Sequence, residues 1–217
     1  MNQKTETIKL SASMIGGFLE CKACFYRDYH HPQEFHLPGI LNKMDRMEKD
    51  YYDCYRNKCP PILKGKIKEK LVNKEMVEKL RKGVIYFDEK LDAQFKGKMD
   101  DCFIDNKGNL VVMDNKTAAM KDNEFLIHYQ LQLDSYAFLL KQAGYKVADY
   151  GYLVYYTPES GNPKDGIIFK VDVLRLKMNP QRALKVFHDA VRLLRKPSAP
   201  KGHEDCMTCK WIMEERG

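Results

Sequence analysis

From Gly97 to Tyr136 the chain reads GKMDDCFIDNKGNLVVMDNKTAAMKDNEFLIHYQLQLDSY. The turn signal Asp105-Asn106-Lys107-Gly108-Asn109 separates a run ending in Cys102-Phe103-Ile104 from Leu110-Val111-Val112-Met113, which predicts a two-stranded hairpin. On the second strand Asp114 and Lys116 leave one face and Asn115 the other, because side chains alternate with a period of two. Asp100, at the end of the first strand, can reach the face of Asp114. Two converging carboxylates repel unless a cation lies between them, and hard oxygen ligands suit Mg²⁺ or Mn²⁺. Such an ion polarises a phosphoryl oxygen and lowers the pKa of a bound water, while an adjacent ammonium orients that water or neutralises developing charge. The pattern points to a hydrolytic site.

An acidic residue two before a lysine occurs four times, at Glu20/Lys22, Asp88/Lys90, Asp105/Lys107 and Asp114/Lys116. Only the last pair ends a run of four apolar residues, so it alone is placed at the edge of a core. The next segment, Asn123 to Ala143, carries Phe125, Tyr129, Leu133, Tyr136, Ala137 and Leu140 at helical spacing, and Gly144 supplies a stop. Gln132 and Tyr136, four apart, share one face of that helix.

GKMD, then VVMDNKT, then YQLQLDSYAFLL resembles the RecB-like branch of the PD-(D/E)XK nuclease superfamily, in which a G-x-x-D strand, a D-x-K strand and a Q-x-x-x-Y helix build one active site. The resemblance implies that Asp100 and Asp114 hold the divalent metal together with the backbone carbonyl of Asn115. It implies that Lys116 assists the attacking water, and that Gln132 and Tyr136 support the site and substrate. The family commonly adds a histidine on an early helix, in a G-x-x-x-H arrangement. Counted from Gly39 that place is Lys43. Asp45 is the candidate substitute, and Glu48, one turn further on, reads as a solvated charge.

Cysteines form a second constellation. Cys21-Lys22-Ala23-Cys24 lies near the start and Cys206-Met207-Thr208-Cys209 near the end. Two CxxC pairs supply the four thiolates of one tetrahedral ion or cluster. Met1 to Lys9 is polar and lacks an apolar signal segment, which argues against export and against disulfides. The RecB-like branch includes AddAB-type and CRISPR-associated exonucleases whose terminal cysteines bind an iron-sulfur cluster, with one cysteine near the start and three near the end. Here the division is two and two, which leaves Zn²⁺ as the alternative to the iron-sulfur cluster. Either centre ties the termini together. Cys54, Cys59 and Cys102 read as buried thiols.

The length of 217 residues suits one domain, and the net charge of +7 is unevenly placed. Lys64 to Lys82 holds eight Lys or Arg and three Glu, with Ile67, Leu71, Met76 and Leu80 interleaved. This stretch reads as a helix, and Lys64, Lys66, Lys68 and Lys70 are its candidate phosphate contacts. No run of about 20 apolar residues is present, so no membrane span is expected.

A short helix capped from Ser11-Ala12-Ser13 is expected to deliver Cys21 and Cys24. A longer helix follows with Ile40, Leu41, Met44, Met47, Tyr51 and Tyr55 on its apolar stripe. Strands are expected near Tyr150–Thr157 and Ile167–Leu174, and Asn179-Pro180 opens a last long helix. The predicted fold is an α/β, restriction-endonuclease-like sandwich with a central mixed β-sheet flanked by helices, its termini clasped by the four-cysteine metal site. It is divided as an N-terminal helical part (1–60), a basic helical segment (61–95), a nuclease core (96–196) and a cysteine segment (197–217). The expected function is a cytoplasmic, Mg²⁺- or Mn²⁺-dependent DNA nuclease acting on single strands or ends, with a helicase or other DNA-processing protein as partner. A subunit that keeps the fold without catalysis, or a zinc-stabilised adaptor, is the alternative.

Overall fold

The structure is a computed structural model that describes residues 6–32, 39–117, 126–162 and 164–214. The predicted hairpin forms from β5 (Asp101–Ile104) and β6 (Leu110–Thr117), paired antiparallel with Cys102 opposite Val112. Helix α5 (Leu126–Gln142) then crosses over to β7 (Tyr150–Asn162), which lies parallel to β6. A parallel neighbour requires such a crossover, and a helix is the usual one. The helix start predicted at Asn123 lies outside the described residues. An antiparallel β8 (Gly166–Lys177) and a two-residue edge strand, β2 (Lys70–Leu71), complete a five-stranded mixed sheet in the order β2-β5-β6-β7-β8.

The remaining strands form a second mixed sheet where one central sheet was expected. It has the order β1-β4-β3, from β1 (Ile8–Ser11), β3 (Val84–Asp88) and β4 (Ala93–Gly97), with β1 parallel to β4. The chain passes from one sheet to the other through Lys98–Asp100, where Met99 is fully buried. Helix α5 is buried nearly all round, as a helix apolar on every side must be. Leu131, Phe138 and Leu139 pack toward the small sheet and α6 (Pro180–Leu194), whereas Leu133, Tyr136, Ala137 and Leu140 pack on Cys102, Val112, Leu153 and Tyr155 of the large one. Asp134, fully buried on the same helix, accepts from the Asn179 amide at 2.7 Å and pairs with Arg182 at 2.6 Å, fixing the start of α6. Asn179 caps that helix as predicted, accepting from the Arg182 amide.

Further expectations change. Lys64–Lys82 is not one helix. A 3-10 turn (Pro61–Leu63), Gly65 at φ 77° and strand β2 precede the only helix in it, α4 (Lys74–Lys82), which Asn73 caps. The physical reason is that its apolar residues serve opposite faces of the large sheet. Ile67 and Leu71 join Tyr52, Phe103 and Val111, while Val77 and Leu80 join Val112 and α5.

Secondly, α3 (Gly39–Asp53) does not bury its apolar stripe. Ile40 is 68% and Met47 59% exposed, and Tyr52 is the only fully buried residue. The helix docks instead through positions four apart. Glu48 accepts from the Thr117 hydroxyl at 2.9 Å, Tyr52 shares a 2.6 Å hydroxyl contact with Tyr156, and Arg56, just past the helix, forks onto Asp101. Thirdly, Cys54 is exposed and Cys59 half-buried, so only Cys102 is the buried thiol expected. The N-terminal helical part also begins on a strand, β1, before α1 (Ile15–Glu20) and α2 (Lys22–His30).

Asp101 is 1% exposed, and Arg56 is its bidentate partner, itself held by Asp53 at 3.0 Å. Removing one member of a buried pair strands the other charge. Arg56→Met should therefore lower unfolding stability by about 3–5 kcal/mol in denaturant titration.

Candidate active site

The sequence Asp114-Asn115-Lys116-Thr117 is the last half of β6, and alternation sends its side chains two ways. Asp114 and Lys116 face α5, while Thr117 turns toward Glu48 of α3. Lys116 Nζ lies 2.6 Å from Asp114 Oδ2 and donates to Gln132 Oε1 at 3.0 Å. The Gln132 amide nitrogen donates to Asp114 Oδ1 at 3.0 Å and to the Tyr136 hydroxyl at 2.7 Å. Lys116 also rests 4.4 Å above the Tyr129 ring, a cation–π contact. Residues 129, 132 and 136 lie on one face of α5, so one helix orients both ionic groups.

The glycine that opens the GKMD segment has a steric reason. A Cβ on Gly97 would stand 2.6 Å from Leu139 Cδ1 and 3.1 Å from Tyr136 Cδ1, so β4 passes beneath α5 only because this residue has no side chain.

Asp114 is 5% exposed. Burial pushes its carboxyl above the usual carboxylate range, Lys116 counters the rise, and the charges of Asp100 and Asp45 add to it. The close Lys116 contact is a charge pair without hydrogen-bond alignment, so Asp114 Oδ2 is a buried acceptor with no directed donor. Asp100 sits in the bend just before β5. Its Oδ1 is 2.9 Å from Lys49 Nζ, and Lys49 also holds Asp45 at 2.7 Å. Glu48 completes the acidic group. Burial and the charges of Asp45 and Asp100 push its carboxyl up to about 6, against the Thr117 bond and the Lys49 charge.

Thus the structure brings Asp100, Asp114, Lys116, Gln132 and Tyr136 to one region, with Asp45 at its margin. Lys43 lines an outer groove with Asn42, Asp45, Arg46, Lys49, Asp50 and Arg81. Glu48, read from the sequence as a solvated charge, and Lys49, which the sequence reading did not single out, join the candidates. Their signal was the spacing of Glu48, Tyr52 and Arg56, a stripe of mixed chemistry that an apolar template passes over. Asp101, adjacent to Asp100, is committed to Arg56 and Arg81.

The lysines of the basic stretch go elsewhere. Lys66 Nζ bonds the Val171 carbonyl, and Lys70 pairs with Ile104 at the turn end of β5, away from the Asp100 end. Lys68 and Lys70 line a cavity of about 670 Å³ with Glu69, Asp105 and Tyr150.

Among the described residues, the carboxylates do not close to a common ligand distance; only Cys21, Cys24, Cys206 and Cys209 do, with all four sulfurs within 4.8 Å of one another.

Residues 44–213 match the model of the PD-(D/E)XK nuclease superfamily. The chain belongs to that superfamily. Membership implies a hydrolase acting on nucleic acid, and these enzymes typically use a divalent metal. No curated protein matches the chain. Among solved structures, that of SSO0001 is similar over 90% of this chain and 81% of that one, at 16% identity and a TM-score of 0.49. No described helix is long and apolar enough to cross a membrane.

A hard divalent ion fits the donor set of this superfamily member. Asp114 offers an oxygen with no directed donor, and the charges of Asp100 and Asp45 raise the proton affinity of both Asp114 and Glu48, a repulsion that a cation relieves. Gly97→Ala should displace Leu139 and Tyr136 and cost about 1–3 kcal/mol in unfolding stability. An unchanged denaturation midpoint would show that α5 can shift without cost.

Proposed function

We propose that the chain is a Mg²⁺- or Mn²⁺-dependent deoxyribonuclease of the RecB-like type, acting as an exonuclease on single-stranded DNA or DNA ends. The observation that carries this reading is the closed set of contacts among Asp114, Lys116, Gln132 and Tyr136, set beside Asp100, Asp45 and Glu48.

Asp100, Asp114 and the Asn115 carbonyl would hold the ion, with Glu48 better supported than Asp45 as the early-helix ligand because it is tied to Thr117 on the same strand. When bound, the ion supplies Lewis-acid polarisation of the phosphoryl oxygen and a water of lowered pKa. Lys116 has three N–H donors. Gln132 takes one, Asp114 is paired by charge, and a further N–H can meet the attacking water or a phosphoryl oxygen. Gln132 holds both partners in register, and Tyr136 fixes the amide from behind. Lys49 offsets the charge of Asp45 and Asp100.

The substrate path favoured by charge is the groove on α3 with Lys43, Arg46, Lys49 and Arg81, which borders Asp45. Lys66, Lys68 and Lys70 lie off that path.

The test is cleavage of end-labelled single strands in Mg²⁺ or Mn²⁺. Wild type should degrade them, and Asp114→Asn should abolish cleavage while most DNA binding remains, since affinity comes from phosphate contacts elsewhere. Lys116→Ala should lose about a hundredfold or more in rate, without rescue by added Mn²⁺. Wild-type protein inert in both metals, or an Asp114→Asn enzyme with the parental rate, would overturn the assignment.

Glu48→Gln separates the two early-helix candidates. It should weaken Mn²⁺ binding and cleavage together, with the rate recovering as Mn²⁺ is raised, and exceed Asp45→Asn in both effects. Unchanged metal dependence would remove Glu48 from the site.

A further inference from the structure

The four cysteines are built from both ends of the chain. Cys21 joins α1 to α2, Cys24 lies in α2, Cys206 immediately precedes α7 (Met207–Glu214), and Cys209 lies in its first turn. Cys21 and Cys209 are buried, and Cys24 and Cys206 partly so. The sulfur separations are 3.5 Å for Cys21–Cys209 and 3.6 Å for both Cys24–Cys206 and Cys24–Cys209.

Those lengths discriminate between inorganic centres. Four sulfurs around one zinc at about 2.3 Å form a tetrahedron whose edges are about 3.8 Å. In a four-iron cluster each thiolate binds a different iron, so the sulfurs stand apart by the breadth of the whole cluster. In a two-iron cluster they divide into two pairs at opposite ends. Here every separation is below 4.8 Å, which leaves room for a single ion among the sulfurs and no room for a cluster. A disulfide would need about 2.05 Å, which no pair approaches.

Arg27 adds a second, independent observation. Its Nη2 lies 3.2 Å from Cys24 Sγ and 3.2 Å from Cys209 Sγ, one sulfur from each end of the chain. Its Nε is tied to the Ala23 carbonyl at 3.3 Å, which holds the fork in place. Four thiolates on a divalent ion carry a net charge of −2, and a fixed guanidinium against two of them offsets part of it.

We infer that Cys21, Cys24, Cys206 and Cys209 hold one Zn²⁺ in all-sulfur tetrahedral coordination, with Arg27 as its charge partner, and that no iron-sulfur cluster occupies this place. All four positions are filled by protein, so the ion is structural. It links Cys24 to Cys206 across 182 positions of the sequence.

The test is independent of nuclease activity. Full-length protein purified anaerobically from cells supplied with both metals should be colourless, with about one zinc per chain and no acid-labile sulfide. Co²⁺ exchanged into the site should give the visible bands of tetrahedral thiolate coordination. Cys206→Ser should lose the metal and melt at lower temperature, while Cys54→Ser keeps both. Arg27→Met should retain the site but bind zinc about 10- to 100-fold more weakly in a chelator competition. A brown protein with several irons and matching sulfide would overturn the inference. So would reduced wild-type protein that takes up no zinc on titration, or a thiol count showing the four cysteines paired as disulfides.

Discussion

A carboxylate buried at the end of a strand sets the terms for the rest of this fold. An ionised group removed from water is costly unless charge and hydrogen bonds replace the lost hydration. Asp114 meets that condition in part, through one neighbouring charge and one hydrogen bond. Lys116, two residues on, shares its face by strand alternation, and Gln132 reaches it from the crossover helix that the parallel β6–β7 pairing demands. The crossover must therefore run directly over β6. Burial of α5 between two sheets fixes that course, and Gly97 removes the side chain that would hold the small sheet away from it. Site and core are consequently one construction, with Tyr136 serving both.

On the other face the balance is electrostatic. Helix α3 meets the sheet and the bend before it with Glu48, Lys49 and Tyr52, and α4 with Asp53, rather than with its isoleucine and methionines. This choice has a functional logic. A helix that docked by apolar contact alone would bring no carboxylates to the strand ends, whereas one that docks by ion pairs delivers Glu48, Asp45 and Lys49 to the region of Asp100. Adjacent aspartates then divide two duties. Asp101 is enclosed and neutralised by Arg56, and Asp100, 36% exposed at its side chain, stays available beside Lys49. Because backbone direction alternates through the bend and into β5, the motif needs only one of its two acids at the site.

What could be read from the sequence was local. The hairpin, the shared face of Asp114 and Lys116, the Gln132/Tyr136 face and the cap at Asn179 each rest on contacts within a few residues or on a fixed period. The cysteine set was readable because CxxC spacing is itself a constraint. The losses were tertiary. Strands β3 and β4 lie where a basic helical segment was expected, since charge composition says little about which sheet a segment joins. Ile67 and Leu71 mimicked a helical stripe with Met76 and Leu80 although the two halves pack on opposite faces. Glu48 was taken for a solvated charge because its partner, Thr117, is 69 residues away. Polar docking leaves no hydrophobic period to find.

The two metal constellations differ in kind, and the difference keeps them apart chemically. Thiolates at the termini select a soft or borderline ion, while the carboxylates and a backbone carbonyl near Asp114 suit a hard one that can retain water. The two are nevertheless mechanically joined. Cys21 ends α1, and α1 packs against α5, where a Cβ on Gly16 would meet His128 Nδ1 at 3.4 Å. That same helix carries Gln132 and Tyr136. A clasp that holds α2 against α7 therefore also limits how far α1 can withdraw from α5, and the contacts that orient Asp114 and Lys116 would gain rigidity from the proposed ion at the cysteines, which would take no part in their chemistry.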